Sequence, residues 1–249
     1  MITLGKLVLN GTPRIAVGFK DQATPATLRD AKNFGLDIVE LRIDQYSSFE
    51  KEYVLKQVSK FRQFPTIATL RSKEEGGDWN LSESARLQLF ETIIPQVDAI
   101  DIELSAGEIL PKVIRSAHKA KKIAVISHHN FDRTPDAKDL LKILKDAKTL
   151  GADIVKIATM ALKRADLQTL AAFTIANASQ NLVTMAMGSE GLLSRIFFPA
   201  LGSLITYAYL GEPTAPGQLS YESTFNYLSN FYPSFNQEKI KSLQLFRSV

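Results

Sequence analysis

A lysine stands in the middle of the run Ala152-Asp153-Ile154-Val155-Lys156-Ile157-Ala158, whose apolar and β-branched composition predicts a strand buried on both faces. Lysine is rarely fully buried without a partner or a task. Burial disfavours the ammonium form and drives the side chain from its ordinary pKa of about 10.4 towards neutrality. A neutral amine attacks a carbonyl carbon, and the protonated imine that results withdraws electrons from the neighbouring carbon. The alternative for Lys156 is a side chain that snorkels from a strand end or pairs with an acid.

Other polar residues gather at the ends of similar runs. In Ile38-Val39-Glu40-Leu41-Arg42-Ile43-Asp44, strand periodicity puts Glu40, Arg42 and Asp44 on one face, either as acid and base for a ligand or as a structural ion pair. A third run ends in Arg71 and enters Ser72-Lys73-Glu74-Glu75-Gly76-Gly77, where the paired glycines let backbone approach a ligand and Glu75 is placed to orient a base. Trp79 just beyond covers that loop or packs it. Ile123-Ala124-Val125-Ile126 leads into Ser127-His128-His129-Asn130, which holds two of the three histidines, and a pKa of about 6.5 suits histidine to move protons both ways. Adjacent histidines on a strand face opposite sides and no third ligand is evident, so no metal is expected. His118 falls in a helical segment at the surface. Met185 and Met187 line a pocket or fill core. Arg195, in the helix that follows, suits a bidentate carboxylate contact if it is not simply exposed. Gly211-Glu212-Pro213-Thr214-Ala215-Pro216-Gly217-Gln218 has the composition of a lid.

What must position these groups is an alternation. β-Branched runs at 14–19, 38–43, 66–71, 99–104, 122–129, 153–159, 181–187 and 204–210 are separated by helical periodicity at 24–34, 49–61, 82–94, 111–120, 137–150, 163–176 and 190–201, with a last helix at 221–231. Thr24 and Pro25 open the first helix as N-cap and first residue. Eight β/α units predict a single (β/α)8 barrel, a TIM barrel of the α/β class, over residues 1–249. A doubly wound sheet is the runner-up, and the Gly-x-Gly-x-x-Gly turn it favours is absent. Ile2–Leu9, Asn10-Gly11 and the strand from Pro13 read as a hairpin closing the bottom of the barrel, with Asn-Gly as its turn. Functional groups then belong at the C-terminal strand ends.

Composition narrows the class. The 249 residues are 45% hydrophobic, contain no cysteine and carry a formal charge of +4, with a pI near 9.1. Lys138, Lys142, Lys145 and Lys148 mix with Asp136, Asp139 and Asp146, the pattern of a solvated helix face, so nucleic acid is not expected as a partner. No apolar run is long enough to span a bilayer, and Met1-Ile2-Thr3-Leu4-Gly5-Lys6 lacks a signal peptide's apolar segment. A cytoplasmic protein is expected.

Taken together and in order, Glu40-Leu41-Arg42, Arg71-Ser72 with Glu75-Gly76-Gly77, His129, Lys156, Ser194-Arg195 and Ala215-Pro216-Gly217-Gln218 closely resemble the type I 3-dehydroquinate dehydratases, Schiff-base barrels of the shikimate pathway. The resemblance implies that Lys156 forms an imine with the ketone of 3-dehydroquinate and that His129 removes the neighbouring proton and later protonates the departing hydroxyl. It pairs Glu75 with that histidine. It assigns the substrate carboxylate and nearby oxygens to Arg195, Gln218 and Thr214, and the ring hydroxyls to Glu40, Arg42 and Arg71. It implies no cofactor and is compatible with a homodimer. Thr214 stands where serine is usual, Asn130 where aspartate commonly follows the histidine, and Gly18 where a hydroxyl residue often helps bind substrate.

Lowering the Lys156 pKa by ~3 units corresponds to roughly 4 kcal/mol. Arg42, Arg71, Ile154 and Ile157 are expected to contribute to it, with Glu40 acting the other way. A class I aldolase or transaldolase shares the lysine logic, but no phosphate cradle follows the last two strands. An inactive barrel that serves as a binding module would be expected to have lost part of this set.

Overall fold

Strands that are apolar on both faces must find cover on both. They do so here by curling into a ring with helices outside it. The structure is a computed structural model and describes residues 2–9, 11–21, 23–33, 35–211, 213 and 216–247. Its strands are β1 (Ile2–Leu4), β2 (Leu7–Leu9), β3 (Arg14–Phe19), β4 (Ile38–Arg42), β5 (Thr66–Thr69), β6 (Ala99–Glu103), β7 (Ile123–Asn130), β8 (Ile154–Met160), β9 (Leu182–Met187), β10 (Ile205–Tyr209) and β11 (Leu219–Ser220). The α-helices are α1 (Pro25–Asn33), α2 (Lys51–Ser59), α3 (Glu83–Ile93), α4 (Leu110–Lys119), α5 (Ala137–Thr149), α6 (Arg164–Ala176), α7 (Ser194–Phe197), α8 (Tyr221–Phe231) and α9 (Pro233–Arg247).

Strands β3 to β9 lie side by side in chain order, all parallel, and β10 pairs with the other edge of β3. The Leu204 N–H donates to the Leu182 carbonyl at 2.8 Å, which brings β10 against β9 and closes the curl. The short β11 runs parallel to β10 and leads into α8. Several helices start on a side-chain cap: Ser82 accepts from the Ala85 N–H, Asp136 from Asp139, Ser220 from Ser223 and Thr24 from Thr27. Each such cap contributes about 1 kcal/mol.

The alternation along each strand separates two cores. Val39, Ala68, Ile100, Ile126, Val155 and Ile157 pack outward against the helices. Ile38, Ile67, Ala99, Val125 and Ile154 pack inside the ring, with Leu4 and Leu9 of the hairpin in the same cluster. Two residues further along, those inward rows turn polar: Glu40, Thr69, Asp101, Ser127 and Lys156, all buried. The bottom of the barrel is therefore a sealed apolar plug and the C-terminal half is lined with charge.

Three expectations differ from the structure. The hairpin turns at Gly5-Lys6, where Gly5 has φ +57°, and β3 leaves it to join the barrel; Asn10 lies outside the described residues. The helix expected at 190–201 shrinks to α7 and a 3-10 turn at Phe198–Leu201. The Ser194 hydroxyl, bonded to the Ala186 N–H at 2.9 Å, pins that segment to β9, and Gly191 packs where a Cβ would lie 2.5 Å from Ala186 backbone. Helix α9 was not expected. Apart from Phe235, which is fully buried, its sequence is mostly polar.

Candidate active site

Lys156 projects from β8 into the ring and is 5% exposed. Its Nζ lies 2.9 Å from Asp101 Oδ2 and 3.3 Å from Glu40 Oε1, and 4.3 Å from the centre of the Tyr207 ring. Burial alone would lower its pKa, but the two carboxylates overcome burial and hold it above the ordinary lysine value. The expectation of an amine kept neutral by burial and by Arg42 and Arg71 is thus corrected. The ammonium form of Lys156 is favoured beside these carboxylates, because Asp101 supplies the charge that the expectation left out. Asp101, itself fully buried, stays ionised: burial works to raise its pKa, but Arg71 and Lys156 hold it well below the usual carboxylate range.

His129 lies at the inward side of the end of β7, while His128, one residue before it, is half-buried. The Glu75 Oε2 accepts from the His129 backbone N–H at 2.8 Å and sits 2.9 Å from Nδ1; Oε1 accepts from Ser105 Oγ at 2.7 Å. A carboxylate that receives these donors fixes the tautomer with the proton on Nδ1 and leaves Nε2 as the base. Burial, with help from Arg71 and Lys156, holds the imidazole well below its ordinary pKa, so it is neutral. Burial also pushes the Glu75 carboxyl up to about 7, against the Ser105 bond and the Arg71 charge. Phe131 stacks near the imidazole with ring centroids 6.5 Å apart. It also crosses Gly76, whose φ of +78° and lack of Cβ admit it. Gly77 is similarly obligatory, since a Cβ there would lie 2.1 Å from the Arg71 carbonyl oxygen. Trp79 packs its ring on Phe49 at 4.8 Å, which makes it part of the loop's own core.

Arg195 is 1% exposed and lines the same pocket as Lys156, His129 and Glu75. Its Nη1 meets the Met185 thioether at 3.2 Å, and Nε and Nη2 have no hydrogen-bond partner among the described residues. Burial pulls its pKa down to about 10. Glu40, Arg42, Arg71, Met187 and Gln218 also line the pocket. Arg42 is gripped by Asp44 through Nε at 3.0 Å and Nη2 at 2.8 Å, because the turn at Ile43–Gln45 folds Asp44 back onto it. Glu40 accepts from Thr69 Oγ1 as well as Lys156. Thr214 lies outside the described residues. Gly217 packs on the Gly188 carbonyl, which sets the loop carrying Gln218 over the end of β9. His118, by contrast, is at the surface beside Asp153, and the described residues contain no cluster of three or more His, Cys, Asp or Glu that could hold a metal ion.

One pocket thus brings together a buried lysine, a carboxylate-oriented histidine and an arginine that has no counter-ion among the described residues. The profile of the type I 3-dehydroquinase family fits residues 17–232. The 3-dehydroquinate dehydratase of Thermodesulfovibrio yellowstonii is 34% identical over 214 residues, 86% of this chain and 93% of that protein. The chain belongs to the type I 3-dehydroquinase family. Two crystal structures agree with that membership. The 3-dehydroquinate dehydratase of Aquifex aeolicus matches at 34% identity with a TM-score of 0.80, covering 88% of this chain and 99% of its own. The type I enzyme of Clostridium difficile, with covalent modified comenic acid, matches at 28% identity with a TM-score of 0.83, covering 94% and 98%.

In this type I 3-dehydroquinase chain, sequence reasoning missed a buried charge network behind the pocket. Arg71 bonds Asp101 Oδ1 at 2.7 Å and Ser127 Oγ at 2.6 Å, and its Nη1 lies 3.1 Å from Glu103 Oε1. Glu103 also accepts from the Ser72 N–H at 2.7 Å and from Arg86, which reaches in from α3 and bonds the Leu70 carbonyl. The guanidinium of Arg71 is thus committed to protein partners. The signal was available: Ala99-Ile100-Asp101-Ile102-Glu103 places two acids on one face of an apolar strand, the same anomaly that marks Lys156.

Proposed function

We propose that this chain eliminates water from 3-dehydroquinate to give 3-dehydroshikimate, a hydro-lyase step of the shikimate pathway, through an imine on Lys156. The observation that carries the reading is that Lys156, His129 and an Arg195 with two unpartnered nitrogens line one pocket. Arg195 and Gln218, which line the pocket, receive the substrate carboxylate; Thr214 joins them only by the family resemblance, since it lies outside the described residues. A desolvated guanidinium without a counter-ion binds an anion strongly, because the ligand supplies the missing charge.

Chemistry follows from the resting protonation states. Lys156 must lose a proton before its nitrogen attacks the ketone carbon; His129, neutral and with Nε2 open, is placed to accept it. The imidazolium hands that proton to the carbinolamine hydroxyl, which leaves as water, so the iminium forms and His129 is neutral again. His129 takes the proton from the adjacent carbon, the electron pair moves into the enamine, and the imidazolium returns a proton to the departing β-hydroxyl. Water hydrolyses the product iminium and frees Lys156. Glu75 keeps the Nδ1 proton in place and stabilises the imidazolium, while Glu40, Arg42 and Arg71 set the charge and the fit around the ring hydroxyls. The same reading places the enzyme in the cytoplasm. A homodimer is its proposed assembly, supported by exposed Leu193, Phe197 and Phe231 on the neighbouring α7 and α8 region and checked by sedimentation.

Incubation with 3-dehydroquinate and borohydride should leave a reduced adduct on the peptide that contains Lys156. His129→Ala should keep that adduct while product formation falls by about 10²–10⁴-fold. An unlabelled Lys156 peptide in active protein removes the imine route.

A further inference from the structure

The lysine and the histidine stand on separate supports, and one side chain outside the pocket joins them. On the lysine side, Nζ of Lys156 bonds Asp101, which bonds Arg71. On the histidine side, His129 bonds Glu75, which rides on the short turn that begins at Ser72. That turn is tightly wound: the Gly77 N–H donates to the Ser72 carbonyl at 2.8 Å and the Trp79 N–H to the Arg71 carbonyl at 3.2 Å. Both supports converge on Glu103. Its Oε1 takes the Ser72 N–H at 2.7 Å and lies 3.1 Å from the Arg71 guanidinium; Oε2 takes Arg86.

We propose that Glu103, clamped from outside the barrel by Arg86, is a positioning residue that fixes the Lys156 and His129 arms in one register. The inference rests on the imine reading above. Glu103 is 0% exposed, and its carboxylate partners among the described residues, the Ser72 N–H, Arg71 and Arg86, are all donors, so its orientation leaves no slack. Arg86, 1% exposed, holds it from the helix layer and is itself tied to the Leu70 carbonyl and to Glu83 at the surface. An ion pair of this kind contributes little net stability compared with apolar residues of the same volume. Its value is geometric, since displacing a reacting group by about 1 Å costs on the order of 10²-fold in rate.

Glu103→Gln keeps the size but turns one carboxylate oxygen into an NH2 that must face donors. Per folded molecule, we expect kcat to fall roughly 10- to 100-fold with KM changed less than about threefold. Trapping at Lys156 and conversion of the trapped species to product should both slow. Adding Arg86→Met lets the amide turn its NH2 away from Ser72 and Arg71, so the double variant should recover at least about fivefold of kcat over Glu103→Gln alone. A role confined to stability predicts instead a lower thermal midpoint with kcat and both trapping steps within about twofold of the parent, and that result overturns the proposal. If Glu103→Gln does not fold, Arg86→Met alone decides: a lowered kcat at unchanged KM supports the proposal, and an unchanged kcat overturns it. The parent protein is trapped in parallel; absence of its Lys156 adduct sinks the imine reading itself, whereas a normal parent adduct with an unaffected variant sinks only the role of Glu103.

Discussion

At the N-terminal end of the barrel, Lys239 of α9 donates to the Asp37 carboxylate at 2.7 Å, and Arg14 meets Glu238 at 2.6 Å with Asp37 3.9 Å away. At the C-terminal end, Arg195 is equally buried and meets a thioether. Among the described residues, the first end matches each of these buried cations to a carboxylate, and the second leaves Arg195 without one. The bottom clamp also uses residues outside 17–232, the span of the family profile, whereas Lys156, His129, Glu75 and Arg195 all fall within it. Charge burial thus holds α9 to the barrel at one end and, on the proposed reading, prepares an anion site at the other. The uncompensated arginine stores a desolvation cost that binding relieves.

Arg195→Met tests that contrast most severely. The substitution removes a charge-assisted contact worth about 1.5–3 kcal/mol, so KM should rise roughly 10- to 100-fold. The thermal midpoint should rise at the same time, because a buried unpaired charge is replaced by an apolar chain of similar length. Calorimetry and steady-state kinetics on one preparation read both signs. A midpoint that falls with KM unchanged would dissolve the distinction between the two ends.

Lys239→Met is the mirror experiment. It leaves Asp37 buried with the Ile15 N–H and a distant Arg14. Breaking a buried pair from one side costs about 3–5 kcal/mol, and half-exposed Glu238 nearby moderates this towards the lower figure. Stability should drop in urea titration while kcat and KM stay near parental values. A selective loss of kcat would mean that the bottom clamp communicates with the pocket.

The sequence revealed the barrel readily because eight apolar runs at regular spacing have few other solutions, and the strand at Arg14–Phe19 matches residue for residue. The hairpin's turn was misread because Asn-Gly is the stronger local signal, whereas Gly5, with a Cβ position 3.0 Å from the Asp98 carboxylate, is fixed by tertiary contact. Lys156 was visible as a charge in an apolar run. Its ionisation was not, since Asp101 comes from β6, two strands away, and reaches Nζ only once the sheet is curled. Arg195 could be named as an anion ligand from its type and place. That its Nε and Nη2 lack partners among the described residues goes with the short α7 and with Met185 beside it, neither of which periodicity encodes.

The smallest effect concerns one hydroxyl. Ser105 donates to Glu75 Oε1 and stabilises the ionised form of a carboxyl that burial has pushed up to about 7. When Glu75 takes a proton it loses the charge that stabilises the imidazolium, and Nε2 of His129 becomes a weaker base; activity should therefore fall as pH drops through about 7. Ser105→Ala removes about 1 kcal/mol of support for the charged form, which raises the Glu75 pKa further and shifts the acid limb upward by about 0.5–1 pH unit. Turnover on the alkaline plateau should be nearly unchanged, because Glu75 is ionised there in both proteins. A limb that moved to lower pH would mean that Ser105 accepts a hydrogen bond from a protonated Glu75 instead of donating one to its carboxylate, and Glu75 would then not be the charged partner of His129.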